Sequence, residues 1–149
     1  GLALFVDSYR KLAELQEPVL MEIPLAAFVE RIRTLYPDLE WHISIPLSAT
    51  MFTDENMLRQ VLINLVKNAC EAGATAMDVR WNKELWISNN GAPIPADVER
   101  EIFVPFFTTK KNGSGIGLSL SRQMMVRQGR DLCLAERPVP GFQVTFIVS

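Results

Sequence analysis

The stretch Asp54-Glu55-Asn56-Met57-Leu58-Arg59-Gln60-Val61-Leu62-Ile63-Asn64-Leu65-Val66-Lys67-Asn68-Ala69-Cys70-Glu71-Ala72-Gly73 decides the fold. Leu58, Val61, Leu62, Leu65, Ala69 and Ala72 recur at i, i+3, i+4 spacing, which predicts one long helix with a buried stripe. Thr53 or Asp54 can cap it, Asp54 and Glu55 suit its positive end, and Gly73 stops it after about Ala72. Asn64, Asn68 and Glu71 fall on a neighbouring stripe at i, i+4 and i+7. Asn is a poor helix former because its side chain competes for backbone hydrogen bonds. Two of them one turn apart, flanked by Leu and Ala, need a reason. One is a polar helix edge that faces water. The other is a pair of amides reaching into a pocket, where a neutral oxygen suits Mg²⁺, an ion that keeps several waters and leans on substrate phosphates.

Upstream of this helix, Phe5, Tyr9, Leu12 and Leu15 have helical spacing and Pro18 ends the segment. Residues 1–17 are read as the tail of a preceding helical element, and residues 18–149 as the compact domain. Val19–Ile23 reads as a short strand, Leu25–Leu35 as an amphipathic helix with Pro24 near its start, and Glu40–Ile45 as a strand with one buried face. Downstream, Ala76–Trp81 and Leu85–Ser88 form a hairpin around Asn82-Lys83. Asp97–Phe103 reads as a short helix, Thr108–Ser114 as a polar loop and Ile116–Arg127 as a helix. Leu132–Ala135 and Phe142–Val148 are strands around a turn at Pro138–Gly141. Interleaved helices and strands with a closing hairpin predict an α/β two-layer sandwich: a mixed sheet of about five strands with three helices on one face.

Composition narrows the function classes. A chain of 149 residues fits one domain with one core. A net charge of -2 gives no electrostatic reason to expect nucleic acid, and no apolar run is long enough to span a bilayer, so no membrane contact is expected. Gly1–Phe5 is soon followed by Asp7, Arg10 and Lys11, which is no signal peptide, and the start without Met reads as a cut from a longer protein. Cys70 and Cys133 lack metal-ligand spacing and are expected to be two buried, reduced thiols.

Three further segments follow the helix. Asn89-Asn90-Gly91-Ala92-Pro93-Ile94 ends a strand and turns. Asn-Gly is a turn signal by itself, but Asn89 can also lie at the bottom of a pocket, its oxygen accepting from an adenine amine. Phe103-Val104-Pro105-Phe106-Phe107 is an aromatic cluster of which at least one ring is expected in the core, and which can anchor a lid. Gly113-Ser114-Gly115-Ile116-Gly117-Leu118 opens a helix, so glycine backbone and free N–H groups meet at a positive dipole end. A flexible loop before a helix is the plainer reading. Lys110 and Lys111 sit where charge can meet phosphate or simply water.

In this order and spacing the four segments resemble the catalytic and ATP-binding domain of bacterial sensor histidine kinases, in the superfamily shared with gyrase, the heat-shock chaperone ATPase and the mismatch-repair ATPase. Asn64–Ala69 resembles the N box, Ser88–Ile94 the first glycine box, Phe103–Phe107 the F box and Gly113–Leu118 the second glycine box. The run from Phe106 through Leu118 is similar to the branch of nitrogen-regulation sensors. The resemblance implies a Bergerat-type ATP-binding fold with ATP and Mg²⁺ as cofactors. Asn68 is implied as the Mg²⁺ ligand, assisted by Asn64 near the phosphates, and Lys110 as the lid cation at the γ-phosphate. Asn89 would bind adenine, Gly91 allow the close turn, and Gly115 and Gly117 line the phosphates. Ile94, Phe107, Thr108, Ser114 and Leu118 would surround the nucleotide, with Thr108–Ser114 as the lid and Thr145 in the adenine floor. The implied partners are the dimerisation domain of the same protein, which bears the phosphoacceptor histidine, and the receiver domain of a response regulator. The implied location is cytoplasmic, with the parent either soluble or anchored in the inner membrane.

Three features depart from the family's pattern. Asn89 stands where the family has Asp; a neutral bond is weaker by ~1–2 kcal/mol than a charge-assisted one, about tenfold in affinity. Pro93 replaces the box's second glycine, fixing φ and removing a donor. The phosphoacceptor motif is missing, and the single histidine, His42, falls on a predicted strand. Hydrolysing members place a Glu where this chain has Asn64, which cannot act as a base. A histidine acceptor brings its own nucleophile, so kinase chemistry is the first expectation. The second is a nucleotide- or partner-binding regulatory module with weak or no kinase activity; the third is a hydrolysing ATPase.

Overall fold

The computed structural model describes residues 17–104 and 117–149. The predicted helix of residues 1–17 lies outside them except for Glu17, as do Pro105–Ile116. The described chain forms strand β1 (Leu20–Pro24), helix α1 (Leu25–Leu35), strands β2 (Glu40–Ser44) and β3 (Thr50–Asp54), and helix α2 (Glu55–Glu71). Strands β4 (Ala76–Trp81) and β5 (Leu85–Asn89), helix α3 (Gly117–Val126), and strands β6 (Leu132–Leu134) and β7 (Val144–Val148) follow.

Helix α2 forms where the periodicity places it. The Asp54 carboxylate accepts the Met57 N–H at 2.9 Å as its cap, and Gly73, at φ +84°, takes the left-handed turn that releases the chain. Its buried face carries Met57 and Val66 as well as Leu58, Val61, Leu62, Leu65 and Ala69; Ala72 is half-buried.

The main sheet has five strands in the order β2-β4-β5-β7-β6. β2 and β4 are parallel, joined by a crossover that includes α2, while β5, β7 and β6 add antiparallel. This is the mixed sheet the sequence predicts, with three helices. One hydrophobic cluster joins Phe28 and Ile32 of α1, the α2 stripe and Met125 of α3 to Met77, Val79, Leu85, Ile87, Val144, Phe146 and Val148 of the sheet. At the hairpin, Lys83 adopts φ +63°, and Asn82 N–H bonds to the Glu84 carbonyl.

Four expectations are corrected. Thr50–Asp54 is a strand that the sequence reading missed; it pairs antiparallel with β1 as a separate two-stranded sheet. Its alternation lasts five residues and runs straight into the α2 cap, so the helical signal hides it. Residues 97–103 form successive turns, with Val98, Glu101 and Val104 each donating to the carbonyl three residues earlier. These turns start at Pro95 and are held by the packing of Ile102 and Phe103 on the core. Both cysteines are exposed rather than buried. Cys70 lies off the α2 stripe, and Cys133 points opposite to the core-facing Leu132 and Leu134. The fourth correction concerns Thr145 and belongs to the site.

Candidate functional site

The C-terminal turn of α2 and the end of β5 are locked together. Asn89 Oδ1 accepts the Gly91 N–H at 2.9 Å, closing a tight turn, and the Ala92 N–H donates to the Ala72 carbonyl at 2.9 Å. Gly91 occupies a tight place. A Cβ there would lie 3.0 Å from the Ala72 methyl, 3.0 Å from Asn89 Oδ1 and 3.1 Å from the Ala72 carbonyl oxygen. Asn90 holds the other side: its Oδ1 accepts from Thr75 N and Ala76 N, and its Nδ2 donates to Thr75 Oγ1. Pro93 is exposed and follows these bonds, so its missing N–H removes none of them.

Asn89 is 5% exposed. It lies on the helix-facing side of β5 with Leu85 and Ile87, opposite Val144 in register. Thr145 therefore points to the other side of the sheet. There its hydroxyl bonds Ser88 Oγ at 2.8 Å and accepts the Val139 N–H at 2.9 Å. The structure does not bring Thr145 to Asn89; counting alternation from Asn89 through the strand register finds Val144 in its place.

Asn64 connects α2 to the start of α3. Its Nδ2 donates to Ser121 Oγ at 2.9 Å and to the Gly117 carbonyl at 3.3 Å, and its Oδ1 accepts from Gln60 Nε2 at 3.1 Å. Asn68 is half-buried, one turn from Asn64 and one from Ala72. The helix thus presents two amides between the Gly91 turn and the first turn of α3. At Gly117 an added Cβ would meet no described atom within 4 Å, the reverse of Gly91. Leu118 and Ile94 are half-buried against the core. Phe103 meets Phe146 edge-on at 6.4 Å, and the Arg122 guanidinium lies 5.3 Å over its ring. Phe107, Thr108, Lys110, Ser114 and Gly115 lie outside the described residues.

Sequence reasoning also missed a polar junction at the other end of α2. Gln128 Oε1 accepts from Thr53 Oγ1 at 2.6 Å and Asp54 N at 3.0 Å, while its Nε2 donates to the Met124 carbonyl at 3.1 Å. A glutamine at the end of a helix carries no spacing signal that could have found it. Both ends of α3 are thereby fastened to α2 or its cap.

Among the described residues no group of three His, Cys, Asp or Glu side chains is placed to hold a metal ion. What α2 offers is Asn68 with neutral oxygen chemistry, which fits a cation taking its remaining ligands from water and phosphate. That is the habit of Mg²⁺ and not of a structural zinc site.

Known proteins resemble this chain in sequence and fold. Residues 53–149 match the family model described as histidine kinase-, DNA gyrase B-, and HSP90-like ATPase. The signal transduction histidine-protein kinase AtoS of Escherichia coli is 35% identical over 101 residues, covering 62% of this chain and 16% of AtoS. The C4-dicarboxylate transport sensor protein DctB of Rhizobium meliloti is 41% identical over 81 residues, covering 48% of this chain and 13% of DctB. The chain thus spans under a fifth of the length of either relative. The catalytic domain of histidine kinase ThkA superposes with a TM-score of 0.72 at 28% identity, covering 87% of this chain and 93% of that one. With the model matched from the β3 strand to the last residue, the chain belongs to the family of histidine kinase-, DNA gyrase B- and HSP90-like ATPases.

Proposed function

We propose that this chain is the Mg-ATP-binding catalytic domain of a sensor histidine kinase. It would transfer the γ-phosphate to a histidine on a dimerisation domain of the same parent protein, which would pass it to a response regulator. The observation that carries the reading is the convergence on α2: Gly91 packed against Ala72 at one end of the Asn64–Asn68 stretch, and Gly117 bonded to Asn64 at the other. A nucleotide laid along this stretch has its base at the Asn89 turn and its phosphates toward the start of α3, where helix N–H groups favour anions.

The residues then divide the work. Asn68 would hold Mg²⁺, which neutralises phosphate charge when bound. Asn64 positions the first turn of α3 through Gly117 and Ser121. Lys110 is assigned to the γ-phosphate. An amide cannot take a proton, so Asn64 favours transfer to a nucleophile brought by the acceptor over hydrolysis.

Calorimetric titration with a non-hydrolysable ATP analogue tests the pocket. Magnesium-dependent binding that is lost in Asn68→Ala is expected; no binding at millimolar nucleotide would refute it. Transfer from labelled ATP to the separately supplied dimerisation domain tests the chemistry. Tight binding without transfer would favour a regulatory module, the reading that the neutral Asn89 supports.

A further inference from the structure

We infer that Asn89 makes this pocket accept 6-oxopurine nucleotides, those of hypoxanthine or guanine, as readily as the 6-aminopurine adenine. The inference rests on the nucleotide-pocket reading above and deepens it at one atom. Asn89 is the only polar side chain on the helix-facing positions of β5 and β7, where Leu85, Ile87, Val144, Phe146 and Val148 are its companions. Hydroxyls that could read a base edge, those of Ser88 and Thr145, lie on the opposite side and bond each other. Asn90 is committed to Thr75 and Ala76. Among the described residues of these strands and their turn, Asn89 is the side chain placed to read the purine 6-position.

The orientation of the Asn89 amide is fixed by the turn. The Gly91 N–H needs an acceptor, and Oδ1 meets it at 2.9 Å; turning the amide over would bring two donors together at that distance. Gly91 has no room to retreat, because it lies against Ala72. The other polar end of the side chain is Nδ2, which can only donate, while Oδ1 keeps a second lone pair. A 6-amino group can donate to that lone pair, and a 6-oxo group can accept from Nδ2. A carboxylate at this position would offer acceptors alone, which repel the 6-oxo oxygen and could meet a 6-oxopurine only by shifting to its N1–H. The amide thus removes the element that rejects the wrong base, and specificity between two ligands depends on such repulsion as much as on attraction.

The test is titration of the chain, with Mg²⁺, by the non-hydrolysable triphosphates of adenosine, inosine and purine riboside, the last bearing only hydrogen at the 6-position. Adenosine and inosine forms are expected to bind within ~10-fold of each other, and the purine riboside form more weakly than both, because the first two keep one hydrogen bond to Asn89 that the third lacks. In Asn89→Asp the inosine form should fall at least ~10-fold behind the adenosine form, as expected when an acceptor faces an acceptor. A wild-type preference for adenosine of ~100-fold or more would overturn the inference alone, since it exceeds the loss of one neutral bond. So would purine riboside binding as well as the other two, even if Asn89→Asp fails to fold. If none of the three binds, the nucleotide-pocket reading fails and this inference with it.

Discussion

The two faces of the five-stranded sheet are built from the same strands in opposite ways. Toward the helices, the central strands present Met77, Val79, Leu85, Ile87, Val144, Phe146 and Val148, with Asn89 as the polar exception at the end of β5. Away from the helices, polar groups sit beside the apolar Trp86–Ile147 pair. Asp78 is 4% exposed and bonds Arg80 at 2.8 Å, Ser88 bonds Thr145, and the His42 ring meets Phe142 edge-on. The first face is held by non-directional burial, whereas the second adds directional bonds that fail one at a time. One residue of register separates the two regimes, so Val144 and its neighbour Thr145 have unrelated roles.

The largest expected effect is on the helix face. Phe146→Ala removes a 4% exposed ring that packs on Phe103, and should cost ~3–5 kcal/mol in urea unfolding. A loss under ~1 kcal/mol would mean that this face is not the dominant core. Next comes Gly91→Ala, where a Cβ at 3.0 Å from Ala72 and Asn89 must push the turn off α2; overpacking of this kind costs ~1–3 kcal/mol. Nucleotide affinity should fall with it, and unchanged affinity would detach the turn from the pocket. On the outer face, Thr145→Val leaves Ser88 and the Val139 N–H without their partner and should cost ~1–2 kcal/mol, with nucleotide affinity unaltered. A drop in affinity would return Thr145 to the base pocket and break the division between faces.

The smallest effect is a pH dependence at Cys133. Partial burial pushes its thiol up, with Asp131 and Glu84 adding to the shift and Arg122 opposing it. The folded protein holds this proton more tightly than the unfolded chain, so the stabilisation is present below the unfolded pKa and is lost as pH rises through the folded one. Alkylation of Cys133, followed by mass spectrometry, should accelerate only at alkaline pH; reaction at neutral pH as fast as a free thiol would contradict the placement.

Much of this molecule was legible because periodicity reports burial. The α2 stripe, the β4–β5 hairpin and the mixed sheet all follow from patterns long enough to count. The missed elements are short or set by distant partners. β3 is five residues abutting a helix cap, and the turns at 97–103 have helical composition but bond at three-residue spacing. At the site, Asn89, Gly91 and Asn64 were identifiable as residues, whereas what each touches was not. The spacing of Asn64 on α2 says nothing of its bonds to Gly117 and Ser121, 53 and 57 residues away. Thr145 lies on the expected strand, but alternation from Asn89 through Val144 turns it to the other side of the sheet.

The junction at Asp54 bears on how the chain reaches this state. Asp54 accepts from Val19, 35 residues earlier, caps α2 locally through Met57, and donates through its own N–H to Gln128, 74 residues later. β1 pairs with β3 across α1 and β2, and β2 pairs with β4 across α2. Such contacts reward the chain only after long loops have closed, which places the domain with mixed α/β topologies that fold more slowly than helical bundles. β6 reaches the sheet only through β7, so that side of the sheet stays an open edge until this last strand pairs with β5.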